Sequence, residues 1–165
     1  MGPLDPELRR LGPDDWETYR SIRLEMLRDS PDAFLTSYDD AAAQDEAVWR
    51  RRLAGGCTFV AELHGETVGS VTCWVGSLGS PGHAADLGAM YVGPSARGRG
   101  VGQALVLAAL QEARETGRHV VRLEVVETNA LARSLYERTG FRMTGVVVPR
   151  ALRPHLHDVQ MECRL

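Results

Sequence analysis

The stretch Ala89–Leu105 (AMYVGPSARGRGVGQAL) decides the fold, because it passes from an apolar strand through a glycine-rich turn into a helix. Gly98, Gly100 and Gly102 alternate along the turn. Without Cβ atoms, the backbone there can point several N–H groups into one small space. The helix that follows adds unpaired N–H groups and a partial positive charge. The stretch therefore predicts a binding site for a phosphate or a pyrophosphate.

Three interpretations of this loop compete, and Arg97 and Arg99 add positive charge beside it. A tight turn without a ligand is the plainest. A dinucleotide-binding loop is the second, since Glu124 lies about 20 residues further on, where a ribose contact is expected. Against it, Gln103 stands where that pattern has a glycine, and the loop begins well after Val92, the last apolar residue of the strand. A P-loop is excluded, because the chain has no lysine.

The composition is that of one globular domain: 165 residues, 44% of them hydrophobic and 25% charged. We expect residues 1–165 to form a single domain. The net charge is −3, so the chain lacks the basic surplus typical of nucleic-acid binders. No apolar run approaches the ~20 residues that span a bilayer, and the first residues do not resemble a secretion signal. These features predict a cytoplasmic protein without nucleic-acid or membrane partners.

The three cysteines, Cys57, Cys73 and Cys163, are widely spaced and form no CxxC pair. This pattern predicts neither a metal site nor a complete disulfide framework, and it favours a reducing compartment. His155 and His157 form an HxH pair, but no acid or cysteine pattern accompanies them. We therefore expect no metal site in this chain.

Hydrophobic periodicity and turn residues predict alternating strands and helices. Strands are predicted at 8–11, 57–63, 66–75, 85–92, 119–126, 141–148 and 159–165. Helices are predicted from about 13 to 29, 45 to 53, 101 to 115 and 129 to 138, with irregular chain at 31–38 and loops at 76–83 and 93–100. Hairpins on both sides of a central strand–helix–strand unit indicate a mixed α/β domain of the α+β type.

Two motifs, in this order, resemble the GNAT N-acetyltransferase superfamily. Residues 97–102 (RGRGVG) resemble its Q/R-x-x-G-x-G/A signature, and residues 90–94 (MYVGP) resemble the strand that leads into it. Residues 129–141 (NALARSLYERTGF) resemble the second core motif, N-x-x-A-x-x-L-Y-x-x-x-G-F. One predicted helix and one predicted strand separate the two motifs, which is the spacing of the superfamily.

The resemblance implies a mostly antiparallel central sheet with one splayed parallel strand pair and flanking helices. It also implies direct transfer of an acetyl group from acetyl-CoA to an amine in a ternary complex, without a metal. Backbone N–H groups of the loop would hold the pyrophosphate, and the pantetheine arm would lie between the strands at 85–92 and 119–126. A main-chain N–H near Tyr91 or Val92 would meet the thioester oxygen as it gains charge. The implied acetyl-CoA contacts in this part of the chain are Met90, Tyr91, Val92, Arg97, Gly98, Arg99, Gly100, Val101, Gly102 and Gln103.

The second motif adds four residues to the implied acetyl-CoA site. Asn129 and Tyr136 are two helical turns apart, so they share a face with Ala132 and Arg133. Small Ala132 leaves room for a ligand. Arg133 and Arg138 either meet the 3′-phosphate or are surface charges, and a surface charge is the expectation for Arg138. Asn129 matches the position that bonds the pantetheine arm, and it also suits a helix N-cap. Tyr136 matches the residue that usually serves as the acid and protonates the departing thiolate. Alternatively, Tyr136 is a core tyrosine without a catalytic role.

A base is useful because an alkyl amine, with a pKa of ~10.4, arrives protonated. Asp86 is the first choice, since it falls where several lysine-acetylating members of the family carry a glutamate. Alternatively, Asp86 is a solvent-facing acid at a strand end without a catalytic role. Glu124 and Glu127 on the neighbouring strand, and His83 in a loop, are the reserves.

The acceptor stays open, from a small amine to a peptide or protein amine. In the family, the loop that carries His155 and His157 often borders the acceptor pocket, so these histidines either touch the substrate or are simply solvated. The alternative function, from another class, is a CoA-binding sensor or interaction module without turnover. A homodimer is a further expectation, because strand edges are exposed in this family.

Overall fold

The computed structural model describes residues 5–75, 82–151 and 153–165. The strands are β1 (Glu7–Leu11), β2 (Cys57–Leu63), β3 (Glu66–Val75), β4 (Ala84–Val92), β5 (Val120–Val126), β6 (Arg142–Pro149) and β7 (His157–Arg164). The helices are α1 (Trp16–Asp29), α2 (Tyr38–Ala42), α3 (Glu46–Ala54), α4 (Val101–Glu115) and α5 (Ala130–Arg138). The described strands form one seven-stranded sheet in the order β1-β2-β3-β4-β5-β7-β6. Every adjacent pair in it is antiparallel except β4–β5.

Local signals set most element boundaries, which is why the predicted strands and helices lie within a few residues of the observed ones. The β2–β3 hairpin turns at His64 and Gly65, whose φ values of +52° and +83° suit a two-residue turn. The Asp45 side chain caps α3 by accepting from the Val48 amide at 3.0 Å. The Asn129 side chain caps α5 by accepting from the Ala132 amide at 3.1 Å.

The segment after α1 differs from the prediction of irregular chain at 31–38. It contains a 3-10 turn at Pro31–Ala33, and α2 begins at Tyr38. The Ser37 hydroxyl caps α2 by accepting from the Asp40 amide at 3.1 Å. Five residues are too few to show a helical repeat, so the sequence pattern gave no signal for this helix. Of the loop predicted at 76–83, residues 76–81 lie outside the described part of the chain.

Each face of the sheet carries its own apolar core. The core on one face lies beneath α4 and α5, and its fully buried members include Leu105, Phe141 and Met161. The core on the other face lies beneath α1, α2 and α3, and its fully buried members include Met26 and Trp49. The sheet is thus covered on both sides, and what remains open is the place where its strands part.

That opening lies between β4 and β5. The two strands pair only at Ala84–Asp86 and Val120–Arg122. Beyond these residues β4 stays with β3 and β5 stays with β7, so their C-terminal halves diverge. A bulge in β4 accompanies the divergence: the register with β3 shifts there, and Ala89 has a φ of +47°. The predicted splayed pair within a mostly antiparallel sheet is confirmed.

Candidate active site

The glycine loop lies at the diverging end of β4. A 3-10 turn at Pro94–Ala96 follows β4, and Gly100 is the N-cap of α4. Gly98 and Gly100 have φ values of +70° and +88°, which L side chains rarely adopt. A Cβ placed on either glycine would meet no described atom within 4 Å. The backbone of the loop is therefore exposed to an open space.

Amide groups of residues 98–103 are left unpaired at this loop. Within the described part of the chain these amides donate to no carbonyl and to no side chain. The first amide of α4 that donates to a carbonyl of the preceding turn is that of Ala104, which bonds the Gly100 carbonyl at 3.0 Å. Unpaired N–H groups at a helix start carry the positive end of the helix dipole. The loop can therefore bind an anionic group such as a phosphate.

The two arginines of the loop have different surroundings. Arg97 forms an ion pair with Asp29 of α1 and donates from Nε to the Val92 carbonyl at 2.9 Å. Its hydrogen bond is the main cause that lowers the pKa of Asp29. Arg97 thus ties the loop to α1, and its charge is already matched. Arg99 forms no ion pair among the described residues, and its Nε is buried without a partner.

Gly102 differs from the other two glycines, because it lies inside a close helix contact. A Cβ there would lie 3.1 Å from Cδ2 of Leu135 and 3.3 Å from Cε of Met90. These distances are tighter than an ordinary van der Waals contact. Gly102 therefore lets α4 approach β4 and α5, and it fixes where the helix begins.

The residues of the second motif lie at the start of α5 and along it. Asn129 uses its side-chain oxygen for the cap, which leaves its amide nitrogen for a ligand. Arg133 donates from Nη1 to the Glu127 carbonyl at 3.1 Å, and its Nε is buried without a partner. Ala132 packs at the edge of the core beneath α4.

Tyr136 is buried, with 6% of its surface exposed. Its ring centre lies 5.7 Å from that of Phe141 in an edge-to-face contact. No hydrogen-bond partner of its hydroxyl is present within residues 5–75, 82–151 and 153–165. Burial raises the pKa of the Tyr136 phenol, so the hydroxyl keeps its proton at neutral pH. The protonated hydroxyl of Tyr136 is able to donate a proton, and the ring of Tyr136 also contributes to the core.

A cavity of about 450 Å³ opens on the other face of the sheet, at the same divergence. Its sheet side includes Asp86 and Glu124, and its helix side includes Arg23 from α1. The chain that follows α1 closes it with Phe34, and Trp74 of β3 lines it from the side. A volume of this size is typical of small-molecule sites.

The base candidates divide into two groups. Asp86 and Glu124 line the cavity, whereas Glu127 and His83 are exposed and are not among its described lining residues. Asp86 lies in the paired part of β4, and Glu124 lies two residues beyond the last β5 residue that pairs with β4. Glu124 is exposed along the cavity wall, yet partial loss of hydration is the largest cause that raises its pKa. The negative charges of Asp158 and Asp86 raise it further.

Residues 19–141 match the model of the Acetyltransferase (GNAT) family, which is well over half of the chain. The chain belongs to the GNAT family. This membership places it among acyltransferase enzymes whose cosubstrate is acetyl-CoA.

The GNAT relatives of this chain differ in length. The chain is 32% identical over 139 residues to an uncharacterised N-acetyltransferase from Archaeoglobus fulgidus, which covers 82% of this chain and 92% of that protein. It is 33% identical over 159 residues to a mycothiol acetyltransferase from Acidothermus cellulolyticus, covering 88% of this chain and 47% of that protein. An uncharacterised N-acetyltransferase from Methanocaldococcus jannaschii is 37% identical over 92 residues, 54% of this chain and 40% of that protein. The chain thus spans about half or less of the last two relatives.

Solved GNAT structures share the fold along the whole chain. An acetyltransferase of the GNAT family from Streptococcus pneumoniae has a TM-score of 0.84 at 18% identity and covers 98% of this chain and 99% of that one. A GCN5-related N-acetyltransferase from Kribbella flavida has a TM-score of 0.76 at 26% identity, covering 97% and 98%. The yncA structure from Salmonella typhimurium, solved with its cofactor acetyl-CoA, has a TM-score of 0.75 at 22% identity, covering 98% and 95%.

One part of this GNAT site had no signal in the sequence. Arg150 and Asp158 form a buried ion pair at 2.9 Å beside the cavity, and Arg150 also donates to the carbonyls of Asp32 and Ala33. Arg150 therefore holds the chain that follows α1 against the sheet. No local pattern predicts a contact between residues 118 positions apart.

In the described part of the chain, the histidine pair belongs neither to the cavity lining nor to a cluster of metal ligands. His155 and His157 are exposed, and neither is among the described residues that line the cavity. The described residues contain no group of three or more His, Cys, Asp or Glu side chains that could hold a metal ion. Nor do they contain a helix long and apolar enough to cross a membrane.

Proposed function

We propose that this protein transfers the acetyl group of acetyl-CoA directly to the nitrogen of an amine acceptor, within one ternary complex. One observation carries the proposal: the anion-binding loop and the acceptor cavity both open at the divergence of β4 and β5. A donor held along the gap therefore has its phosphates at the loop and its thioester near the cavity. The mycothiol acetyltransferases similar to this chain are about twice as long, so their acceptor is not carried over.

The residues present fit acetyl-CoA. The unpaired amides of Gly98, Arg99, Gly100, Val101, Gly102 and Gln103 would hold the pyrophosphate. The main chain of Met90, Tyr91 and Val92 lies beyond the last residue of β4 that pairs with β5, so it would bind the pantetheine arm as a neighbouring strand does. Asn129 and Ala132 would border the arm, and Arg133 would bind the 3′-phosphate. Arg97 would act by fixing the loop to α1.

Acetyl-CoA supplies an activated acyl group with a thiol as its leaving group. The amine nitrogen forms the new C–N bond to the acetyl carbon while the C–S bond breaks. Glu124 accepts the first proton of the ammonium group, and the second, lost once the C–N bond has formed, goes to water. Tyr136 donates the proton that converts the departing thiolate to a thiol and regains one from water. Asp86, the first choice from the sequence, stays in the proposal as the neighbouring carboxylate, and the experiments in the Discussion separate the two acids.

A CoA-binding sensor without turnover is the alternative. Both hypotheses predict CoA binding, so binding does not separate them. Release of free CoA in the presence of a panel of amines does, because only the enzyme produces it. A panel that yields no release above the rate without enzyme would favour the sensor.

Acetyl-CoA is expected to stabilise the protein strongly. Binding to the folded state alone at 100 times Kd adds about 2.7 kcal/mol. For a domain of this size the melting temperature should rise by about 5–10 °C. NADH, measured as the control at the same concentration, should change it little. Stabilisation by NADH but not by acetyl-CoA would restore the dinucleotide interpretation of the loop.

Gly100→Val is expected to weaken CoA binding by tenfold or more, measured by calorimetric titration. Valine is strained at the φ of +88°, and its side chain fills the open space above the loop. Gly65→Val is the matched control, because Gly65 has a φ of +83° and equally open surroundings in the β2–β3 turn. It should lose similar stability and keep its CoA affinity. Unchanged affinity in Gly100→Val would remove the loop from the site.

Two other expectations belong to this proposal. We propose a cytoplasmic location on the cysteine pattern, which favours a reducing compartment. A homodimer would involve the edge strand β6, which exposes Met143, Val146 and Val147 at the end of the sheet. Sedimentation measurements on the full chain would establish the oligomeric state.

A further inference from the structure

Arg23 is a cation in the acceptor cavity, and the described residues supply no carboxylate partner for it. It lies on α1 and lines the cavity. Its Nη1 donates to Sδ of Met26 at 3.3 Å, and its guanidinium carbon lies 5.5 Å from the centre of the Phe34 ring. Its Nε is buried and has no hydrogen-bond partner in the described part of the chain. None of the ion pairs found among the described residues includes Arg23.

The surroundings of Arg23 favour an incoming anion. Burial is the largest cause that lowers the pKa of its guanidinium, and the positive charge of Arg52 also lowers it. A guanidinium nevertheless stays charged in proteins, so Arg23 holds a positive charge that no carboxylate of the described residues neutralises. Burying an unpaired charge is costly, and an anion bound beside it removes much of that cost.

The other arginines that line the described cavity are already matched. Arg150 has its Nε 2.9 Å from Asp158, and Arg122 has its Nε 3.7 Å from Glu162. Both are therefore held by acids of β7. Arg23 differs from them because no acid of the described chain forms an ion pair with it.

The cavity has opposite charges on its two sides. The sheet side carries the carboxylates of Asp86, Glu124 and Asp158 and the guanidinium groups of Arg122 and Arg150, so it is negative on balance. Arg23 makes the helix side positive. A bound molecule that matches both sides has a cationic group at the sheet and an anionic group at the helix. An ammonium group at the sheet side is also what acetyl transfer requires, since Glu124 is there to accept its proton.

We propose that the acceptor is a small amine that also carries a carboxylate, an α-amino acid being the simplest, and that Arg23 binds this carboxylate. The inference rests on the proposed acetyl transfer and names its substrate class. The cavity of about 450 Å³ accommodates such a molecule. Phe34 and Trp74 offer apolar surface for its side chain.

The test compares three amines by CoA release: leucine, leucinamide, and isoamylamine, which is leucine without its carboxylate. Charge-assisted hydrogen bonds of this kind correspond to a change of about 10- to 100-fold. The wild-type protein should therefore use leucine with a kcat/KM about 10- to 100-fold above that of either comparison amine. Arg23→Gln should bring the ratio of leucine to isoamylamine close to one. Arg28→Gln, an exposed arginine on the same helix outside the cavity, should leave the ratio unchanged.

A second measurement separates this inference from the proposed function. Titration of leucine into the protein saturated with CoA should show binding that Arg23→Gln weakens by a similar factor. Thermal unfolding should show no loss of stability in Arg23→Gln, since the variant removes an unpaired buried charge. A wild-type ratio near one, or a ratio that survives in Arg23→Gln, overturns the inference and leaves acetyl transfer standing. Leucine binding that depends on Arg23 without any CoA release supports the inference and overturns the proposed function.

Discussion

Glu124→Gln is expected to lower kcat for an amine acceptor by about 10²–10⁴-fold, the range that a positioned general base contributes. Glutamine keeps the length of the side chain but cannot take the proton of the ammonium group. Glu124 lies in the cavity, beyond the last β5 residue that pairs with β4, and burial together with Asp158 and Asp86 raises its pKa. The raised pKa makes it a better proton acceptor than an ordinary carboxylate. CoA release measures kcat, and calorimetric titration checks that CoA affinity is kept.

Asp86→Asn is the matched variant, and the pH profile of kcat distinguishes the two acids. In the wild-type protein kcat should fall as the pH decreases through the raised pKa of Glu124, because a protonated carboxyl cannot act as a base. Removing the negative charge of Asp86 lowers the pKa of Glu124, so the acid limb should move to lower pH while the plateau survives. A large loss at every pH in Asp86→Asn, with near-normal kcat in Glu124→Gln, would assign the base to Asp86 instead.

Tyr136→Phe is expected to lower kcat by about 10²–10⁴-fold with little change in the KM for acetyl-CoA. Phenylalanine keeps the ring that packs on Phe141 and removes only the hydroxyl. The hydroxyl is protonated over the working pH range, so a thiolate formed beside it can take its proton; burial, which raises the pKa of Tyr136, makes it a weaker acid. Rates of CoA release at saturating acetyl-CoA measure the effect.

Tyr19→Phe is the control for Tyr136. Tyr19 is also a buried tyrosine, but it packs on Trp49 in the core beneath α1, on the other face of the sheet. Its hydroxyl takes no part in the proposed proton transfers, but Tyr19 interacts electrostatically with Arg23. The control is therefore run with isoamylamine, which lacks the carboxylate that Arg23 would bind, and kcat should hold. If Tyr136→Phe likewise keeps kcat and loses only about 1 kcal/mol of stability, Tyr136 is a packing residue and water protonates the thiolate.

Much of the fold and of the anion site follows from short-range sequence rules. The order of strands and helices, the helix start at Val101, the caps at Asp45 and Asn129, and the glycine turn all depend on residues a few positions apart. Such rules act within one turn of chain, so the sequence displays them directly. The splayed strand pair came from the resemblance to the GNAT family, since no local pattern states which strands pair or where they part.

The acceptor side of the site was decided by the tertiary structure. The sequence named Asp86 and Glu124 as separate candidates, and the sheet register puts both in one cavity with Arg23 of α1. The sequence assigned Arg97 to the cofactor loop, and the fold pairs its charge with Asp29. The contact of Arg150 with the chain that follows α1 had no sequence signal, because the carbonyls of Asp32 and Ala33 lie 118 and 117 positions away. The cavity with Arg23, the Arg97–Asp29 ion pair and the contacts of Arg150 share one physical reason. Electrostatic interactions and burial depend on distances in space, and those distances are set only when α1 packs against the sheet.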